Sequence, residues 1–246
     1  MEQIWFVLPV VIFAAVVRGY SGFGFAVISV VGFNFFFEPQ QSVAIVLSLD
    51  FICSINLWKQ AVKQADFPVL KKLILGAILG IPIGYCFLLF IPAEILKLLI
   101  CIAILGLALL LFSNYRPFDA SKKRTQIGFG LTSGAGTASA SIGGPMIVYY
   151  MLSSSLSTST QRATMILFFI ASEGLAIISL ISGGLTDSTL PKAILILIIP
   201  TLLAVRYGQH LFNKKPPESL KSFALPIMVI VALLGMANST VTMMGQ

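Results

Sequence analysis

Along most of its length the chain is a succession of apolar runs, each close to the ~20 residues an α-helix needs to cross ~30 Å of hydrocarbon. The clear spans are Ser42–Trp58, Val69–Ile91, Ile95–Phe112, Ala163–Ile181, Pro191–Phe212 and Ser222–Ala237. No polar stretch between them is long enough to hold a domain. A soluble domain carries about 25% charged residues; this chain carries 10%, against 57% hydrophobic. Its polar side chains are too few to cover a water-facing surface, which excludes a soluble enzyme. The absence of a heptad or G-X-Y period excludes coiled coil and collagen. No HExxH, GxSxG, Walker loop or CxxC is present, and a single His leaves a metalloenzyme short of ligands. The expectation is an all-α polytopic membrane protein that is not an enzyme, with no cofactor, no metal and no nucleic-acid partner.

Two segments break the pattern. Ile4–Phe37 is apolar for 34 residues, about 51 Å as a helix, too long for one crossing and short for two. Ile127–Leu152 is interrupted by TSGAGTASASIGG at 132–144. Both read as broken or re-entrant hairpins, which survive at membrane depth only inside protein or along a cavity. The N-terminus lacks a basic n-region and an A-x-A site, so it reads as retained rather than as a signal peptide. Cys53, Cys86 and Cys101 all lie in apolar runs and read as small core residues rather than a disulfide framework.

The chain also repeats. PAEILK at 92–97 matches PPESLK at 216–221, an offset of 124 that also sets Gly84 on Gly208. SGFGFA at 21–26 faces ASIGGP at 140–145, and the same shift brings Asp50 within about one helical turn of Glu173. The halves are 1–118 and 119–246, each a glycine-rich hairpin followed by three transmembrane helices. Charge sets their relation. If each hairpin returns to its own side, thirteen basic residues (in 59–72, in 113–125, at Arg162 and in 206–221) share one face against Lys97 and Lys192 on the other. If each hairpin crosses once, the split is nine to six. The positive-inside rule favours hairpins and inverted repeats, with both termini outside. Arg162 then reads as an orientation charge at the start of its span.

The hairpins carry the candidate site. Hairpin one offers Arg18, Tyr20, Ser21, Gly22 and Gly24; hairpin two offers Thr137, Ser139, Ser141, Gly143, Gly144 and Pro145. Glycine permits the breaks, and Pro145 suits the first turn of a new helix. A half-helix amino end presents free N–H groups and a positive dipole end, so two such ends with hydroxyls around them form an anion site at mid-membrane. Gly76, Gly80 and Gly84, spaced by four, read instead as helix packing. Arg18 has two open readings: ligand of an anionic substrate, or a charge that snorkels or pairs with Asp50. Asp50 and Glu173 lie mid-span, as coupling-ion sites or as structural carboxyls. Asn34 and Asn56 are weaker candidates, and His210 reads as solvated.

SIGGPMIVYYML at 141–152, the glycine-rich opening of each half, the two-fold repeat and the size resemble the sulfite exporter TauE/SafE family, also called TSUP, over essentially the whole chain. The first half departs from the family pattern, with GFGFAV and no Pro after its glycines. The resemblance implies secondary transport of small organosulfur anions, such as sulfite, sulfoacetate or other sulfonates, in a multi-pass protein of the bacterial inner (plasma) membrane. By motif position it supports Ser141, Gly143, Gly144 and Pro145. The partners expected are a small sulfur-containing anion and the lipid bilayer, with a homo-oligomer left open. The alternatives are a passive anion channel or facilitator, and a membrane scaffold subunit of a larger complex.

Overall fold

Proline, aspartate and serine set where the long helices begin. Pro39 and Pro68 sit in the first turns of their helices, where a missing N–H costs nothing. The Asp66 carboxylate accepts from Val69 N–H at 2.9 Å, and Ser157 Oγ accepts from Thr160 N–H at 3.3 Å, each satisfying one free amino-end donor. The computed structural model describes residues 3–113, 118–184, 189–222, 225–227, 229–230 and 232–234. In order its helices are α1 (Gln3–Ser21), α2 (Phe25–Phe33), α3 (Pro39–Gln64), α4 (Phe67–Phe90), α5 (Ala93–Phe112), α6 (Lys123–Ala140), α7 (Gly143–Ser153), α8 (Thr158–Ser182) and α9 (Thr189–Lys214). Much of the expected Ser222–Ala237 span lies outside the described residues.

Among the described residues, five helical segments are long and apolar enough to cross a membrane: Ile4–Ser21, Gln40–Gln64, Phe67–Phe90, Thr158–Ser182 and Leu190–Lys214. The Gln40–Gln64 segment is 67% buried and Leu190–Lys214 only 28%, so α3 is central and α9 peripheral. On α9, Leu195, Ile199 and Leu203 form an exposed stripe four residues apart. With Trp5, Phe13, Phe90 and Phe112 they give an apolar exterior suited to hydrocarbon and not to water. Cys86 is among the exposed residues, not in the core as expected; α4 turns it outward while Cys53 and Cys101 are buried.

Lipid tails are as apolar as leucine, so helices in a bilayer associate through close packing rather than the hydrophobic effect. The interface of α4 with α6 shows how. A Cβ added at Gly76, Gly80 or Gly84 would strike the backbone of Ile127, Leu131 or Ala135; one at Gly130 would strike Leu73, and one at Gly134 would stand 2.7 Å from the Ala77 Cα. This is the packing role expected of the α4 glycines, completed by two glycines on α6. Gly19 on α1 and Gly208 on α9 meet in the same way: a Cβ at Gly19 would strike the Val205 carbonyl, and one at Gly208 the Val16 carbonyl. Further, α3 packs against α8 and α9, and α8 against α3 and α4.

Both short helices turn back on their predecessors. The Phe36 ring, just beyond α2, stacks on Phe6 near the start of α1 at 5.8 Å. A Cβ at Gly32 of α2 would meet Val10 of α1. In the second half, Tyr150 on α7 donates to the Ala120 carbonyl just before α6 at 2.9 Å. The two returns are short, 9 and 11 residues, about 14 and 17 Å of helix. One expectation is corrected here: the stretch 132–144 does not interrupt the helix throughout. α6 runs on to Ala140, and the break is confined to Ser141 and Ile142. Backbone contact with α4 holds a Gly/Ser/Thr sequence of low helix propensity in helical form.

Candidate functional site

The tip of hairpin one is a helix end held by arginines. α1 ends at Ser21, and the chain turns through Gly22 (φ 81°) and Gly24 (φ 100°), a backbone only glycine adopts without strain. Ending the helix leaves carbonyls without intrahelical donors. Arg18 Nη1 donates to Gly22 O at 2.8 Å, and Arg162 donates to Gly19 O at 2.5 Å and to Tyr20 O at 3.1 Å. Two guanidinium groups thus sit at the negative end of α1, the favourable placement for cations. Arg162 is therefore not a simple orientation charge. It is 3% exposed, lies over the Phe212 ring at 4.1 Å, and donates to Gln209 at 2.6 Å. Gln209 in turn donates to Gln60 and, at 2.9 Å, to Asn213.

Arg18 is the centre of the buried polar cluster. It is 1% exposed, so it does not snorkel. Its Nε lies 3.0 Å from Asp50 Oδ1, an ion pair without an aligned hydrogen bond. Its Nη2 lies 3.6 Å from Glu173 Oε1 and donates to Ser54 Oγ. Ser54 Oγ lies within reach of two acceptors, the Asp50 carbonyl at 2.9 Å and Glu173 Oε2 at 3.2 Å. The guanidinium also lies 4.5 Å from the centre of the Phe169 ring. Asp50 and Glu173, in the middle of α3 and α8, thus converge on one cation. Unpaired buried ions would be costly, and here both carboxyls face the same guanidinium.

The tip of hairpin two is neutral. Ser141 closes α6 in the left-handed region (φ 59°), the one non-glycine residue there among those described. Its N–H donates to Thr137 O and that of Ile142 to Gly136 O, both at 3.0 Å. Thr137 Oγ1 donates to Ser133 O at 2.9 Å, and Ser133 Oγ to Gly143 O at 2.8 Å. These bonds leave the Ser141 Oγ buried and without a hydrogen-bond partner. It stands beside the amino end of α7, whose first N–H groups have no carbonyl within the helix. Gly143 is packed tightly on Thr137 and Ser133, whereas a Cβ at Gly144 would stand in ordinary contact, 3.7 Å from Phe169 and 3.9 Å from Val27.

The two tips enclose one cavity of about 10 Å³, room for about one water. Of the residues expected in a site, Arg18, Gly24, Thr137, Ser141, Gly143, Gly144, Asp50 and Glu173 line it. The others are placed elsewhere. Tyr20 turns away and donates to Lys215 O at 3.1 Å. Ser21 Oγ lies 2.7 Å from Val17 O and 2.8 Å from Phe23 O, within its own turn. Gly22 packs on Arg162, and Ser139 and Pro145 are buried but do not line the cavity. Asn34 and Asn56 are half-buried away from the cavity lining, and His210 is exposed. Phe169 and Ser54 escaped the sequence reading, yet a signal exists. Ser54 lies one helical turn after Asp50 and Phe169 one turn before Glu173, so each shares a face with its carboxyl.

Among the described residues no cluster of three or more His, Cys, Asp or Glu side chains could hold a metal ion. The chain matches the family model described as sulfite exporter TauE/SafE over residues 7–235. No curated protein and no solved structure gave a match.

Proposed function

The chain belongs to the sulfite exporter TauE/SafE family, and from that premise we propose that it is a secondary transporter holding a small organosulfur anion, such as sulfite, sulfoacetate or another sulfonate, between its two hairpin tips. Membership makes it a multi-pass membrane transporter of sulfur anions and not an enzyme. The observation that carries the finer reading is a convergence on one small cavity: a buried guanidinium, a partnerless serine hydroxyl and the amino ends of α2 and α7. Such a set recognises an oxyanion by charge, by hydroxyl and by backbone N–H. In this reading Arg18, Gly24, Thr137, Ser141, Gly143 and Gly144 contact the substrate. Tyr20, Ser21, Gly22, Ser139 and Pro145 shape the tips that present it.

Two further features support a carrier. Exchanging the halves preserves the packing: α4 with α6 becomes α9 with α1, and α3 with α9 becomes α8 with α4. With the swapped charge bias of the loops, this favours inverted repeats, 1–118 and 119–246, both termini outside a bacterial plasma membrane. One guanidinium facing two carboxyls is electrically balanced only when one carboxyl holds a proton, which suits Asp50 or Glu173 to proton coupling. A cavity with room for about one water favours a carrier that opens to one side at a time over a passive channel.

The test is transport by purified protein in liposomes, read as currents on solid-supported membranes. The panel is sulfite, sulfate, thiosulfate, sulfoacetate, taurine and acetate, with and without a pH gradient. A saturable signal for a sulfur anion, lost in Ser141→Ala and Arg18→Gln, is expected. Silence across the panel from folded protein would remove the sulfur assignment, and wild-type signals in both variants would remove the site.

A further inference from the structure

The two helix amino ends at the cavity are not equivalent. In the first turn of α2, the Ala26 backbone N–H interacts with the Asp50 carboxylate. The same carboxylate pairs with Arg18 Nε at 3.0 Å. Asp50 therefore already has what an anionic substrate would seek, a guanidinium and a helix amino end. At α7 nothing comparable is present among the described residues. Its cavity-lining neighbours are Thr137, Ser141, Gly143 and Gly144, all uncharged, and the Ser141 Oγ is 2% exposed and partnerless. Glu173 does not fill the place; it faces Arg18 Nη2 and Ser54.

We propose that the Asp50 carboxylate is a resident competitor of the substrate: the anion lodges first at the α7 amino end beside Ser141, then gains Arg18 and the α2 amino end only as Asp50 leaves them and takes up a proton. This rests on the cavity being the substrate site, and adds which bond the substrate replaces. The charges balance for a singly charged sulfonate. One anion and one proton enter, Arg18 exchanges one anionic partner for another, and the net charge of the site is unchanged. The groups that face Asp50 are Arg18 from α1, Glu173 and Ser54, with the Ala26 N–H from α2; Cys53 neighbours it on α3, and Arg162 is a more distant charge acting on Arg18. Anion and proton then travel together because the anion cannot take the guanidinium while the carboxylate keeps it.

The experiment is methanesulfonate binding to the purified full-length protein, by calorimetry between pH 5.5 and 8 in buffers of different ionisation heat. The wild type is expected to take up one proton per anion, so that affinity falls up to tenfold per pH unit wherever that proton must come from solution. Asp50→Asn, with Glu173 still paired to Arg18, is expected to bind at least tenfold tighter at pH 8 and to lose the pH slope. Asp50→Glu is expected to keep the slope. Zero proton uptake by the wild type overturns the inference without reference to any variant's folding. So does an Asp50→Asn protein that binds no tighter and keeps its slope, or a slope that disappears in Glu173→Gln alone. In each of these cases, binding that still depends on Ser141 leaves the site reading intact. Wild-type protein that binds no sulfonate at any pH removes the site reading, and the inference falls with it.

Discussion

The two hairpins solve the same problem, ending a helix inside the protein, with opposite chemistry. At the α1 tip the freed carbonyls of Gly19, Tyr20 and Gly22 are met by Arg18 and Arg162, and two glycines at positive φ make the turn. At the α6 tip the carbonyls of Thr137 and Gly136 are met by the backbone N–H groups of Ser141 and Ile142, and the turn is made by a serine in a glycine-like conformation. The first tip depends on charge for its stability. The second is closed by neutral groups and keeps a strained residue with an unused hydroxyl. Two similar hairpins thus end their helices by different means, one holding charges and the other keeping neutral groups with a partnerless hydroxyl.

Four substitutions test this division. Arg18→Leu removes the cation from two buried carboxyls and is expected to cost about 3–5 kcal/mol, read as a lower melting temperature in detergent or failure to purify as a single species. An unchanged melting temperature would mean the first tip does not depend on its charge. Arg162→Leu leaves the Gly19 and Tyr20 carbonyls without donors, at about 1–3 kcal/mol for each orphaned group. Hydrogen exchange should localise the loss to the end of α1, and uniform loss would contradict the capping role. Ser141→Gly goes the other way. It relieves a left-handed non-glycine residue and should stabilise by about 1–2 kcal/mol while weakening anion transport; destabilisation would show that the hydroxyl is needed for the fold. Gly144→Ala should change stability by no more than about 0.5 kcal/mol, since its Cβ meets only ordinary contacts. Its methyl group enters the cavity, so transport should fall several-fold, and undiminished transport would place the substrate elsewhere.

Much of this was legible in the chain. Apolar runs located α3, α4, α5, α8 and α9, though α3 extends at both ends beyond the expected Ser42–Trp58 because a helix does not stop where hydrocarbon does. The glycines of α4 announced a close helix contact, and SGFGFA and ASIGGP marked both tips. What the residues did not disclose is direction. Tyr20 and Ser21 stand beside Arg18 in sequence, yet a rotation of roughly 100° per residue sends their side chains to Lys215 and back into their own turn. Arg162 looked like an orientation charge because its acceptors, Gly19 and Tyr20, lie more than 140 residues away. The persistence of α6 through Ala140 likewise depends on α4, which no local propensity encodes.

The glycine contact between α4 and α6 has a mechanical meaning. Backbones that touch without intervening side chains leave nothing to slide or repack, so the two helices move as one plank. Yet α4 lies in the first half of the chain and α6 in the second, just as α1 is joined to α9 through Gly19 and Gly208. Each half of the chain sets its tip helix against the other half. The halves are therefore not units of folding, and a chain cut between α5 and α6 would give two fragments, each missing the surface against which its own tip is built.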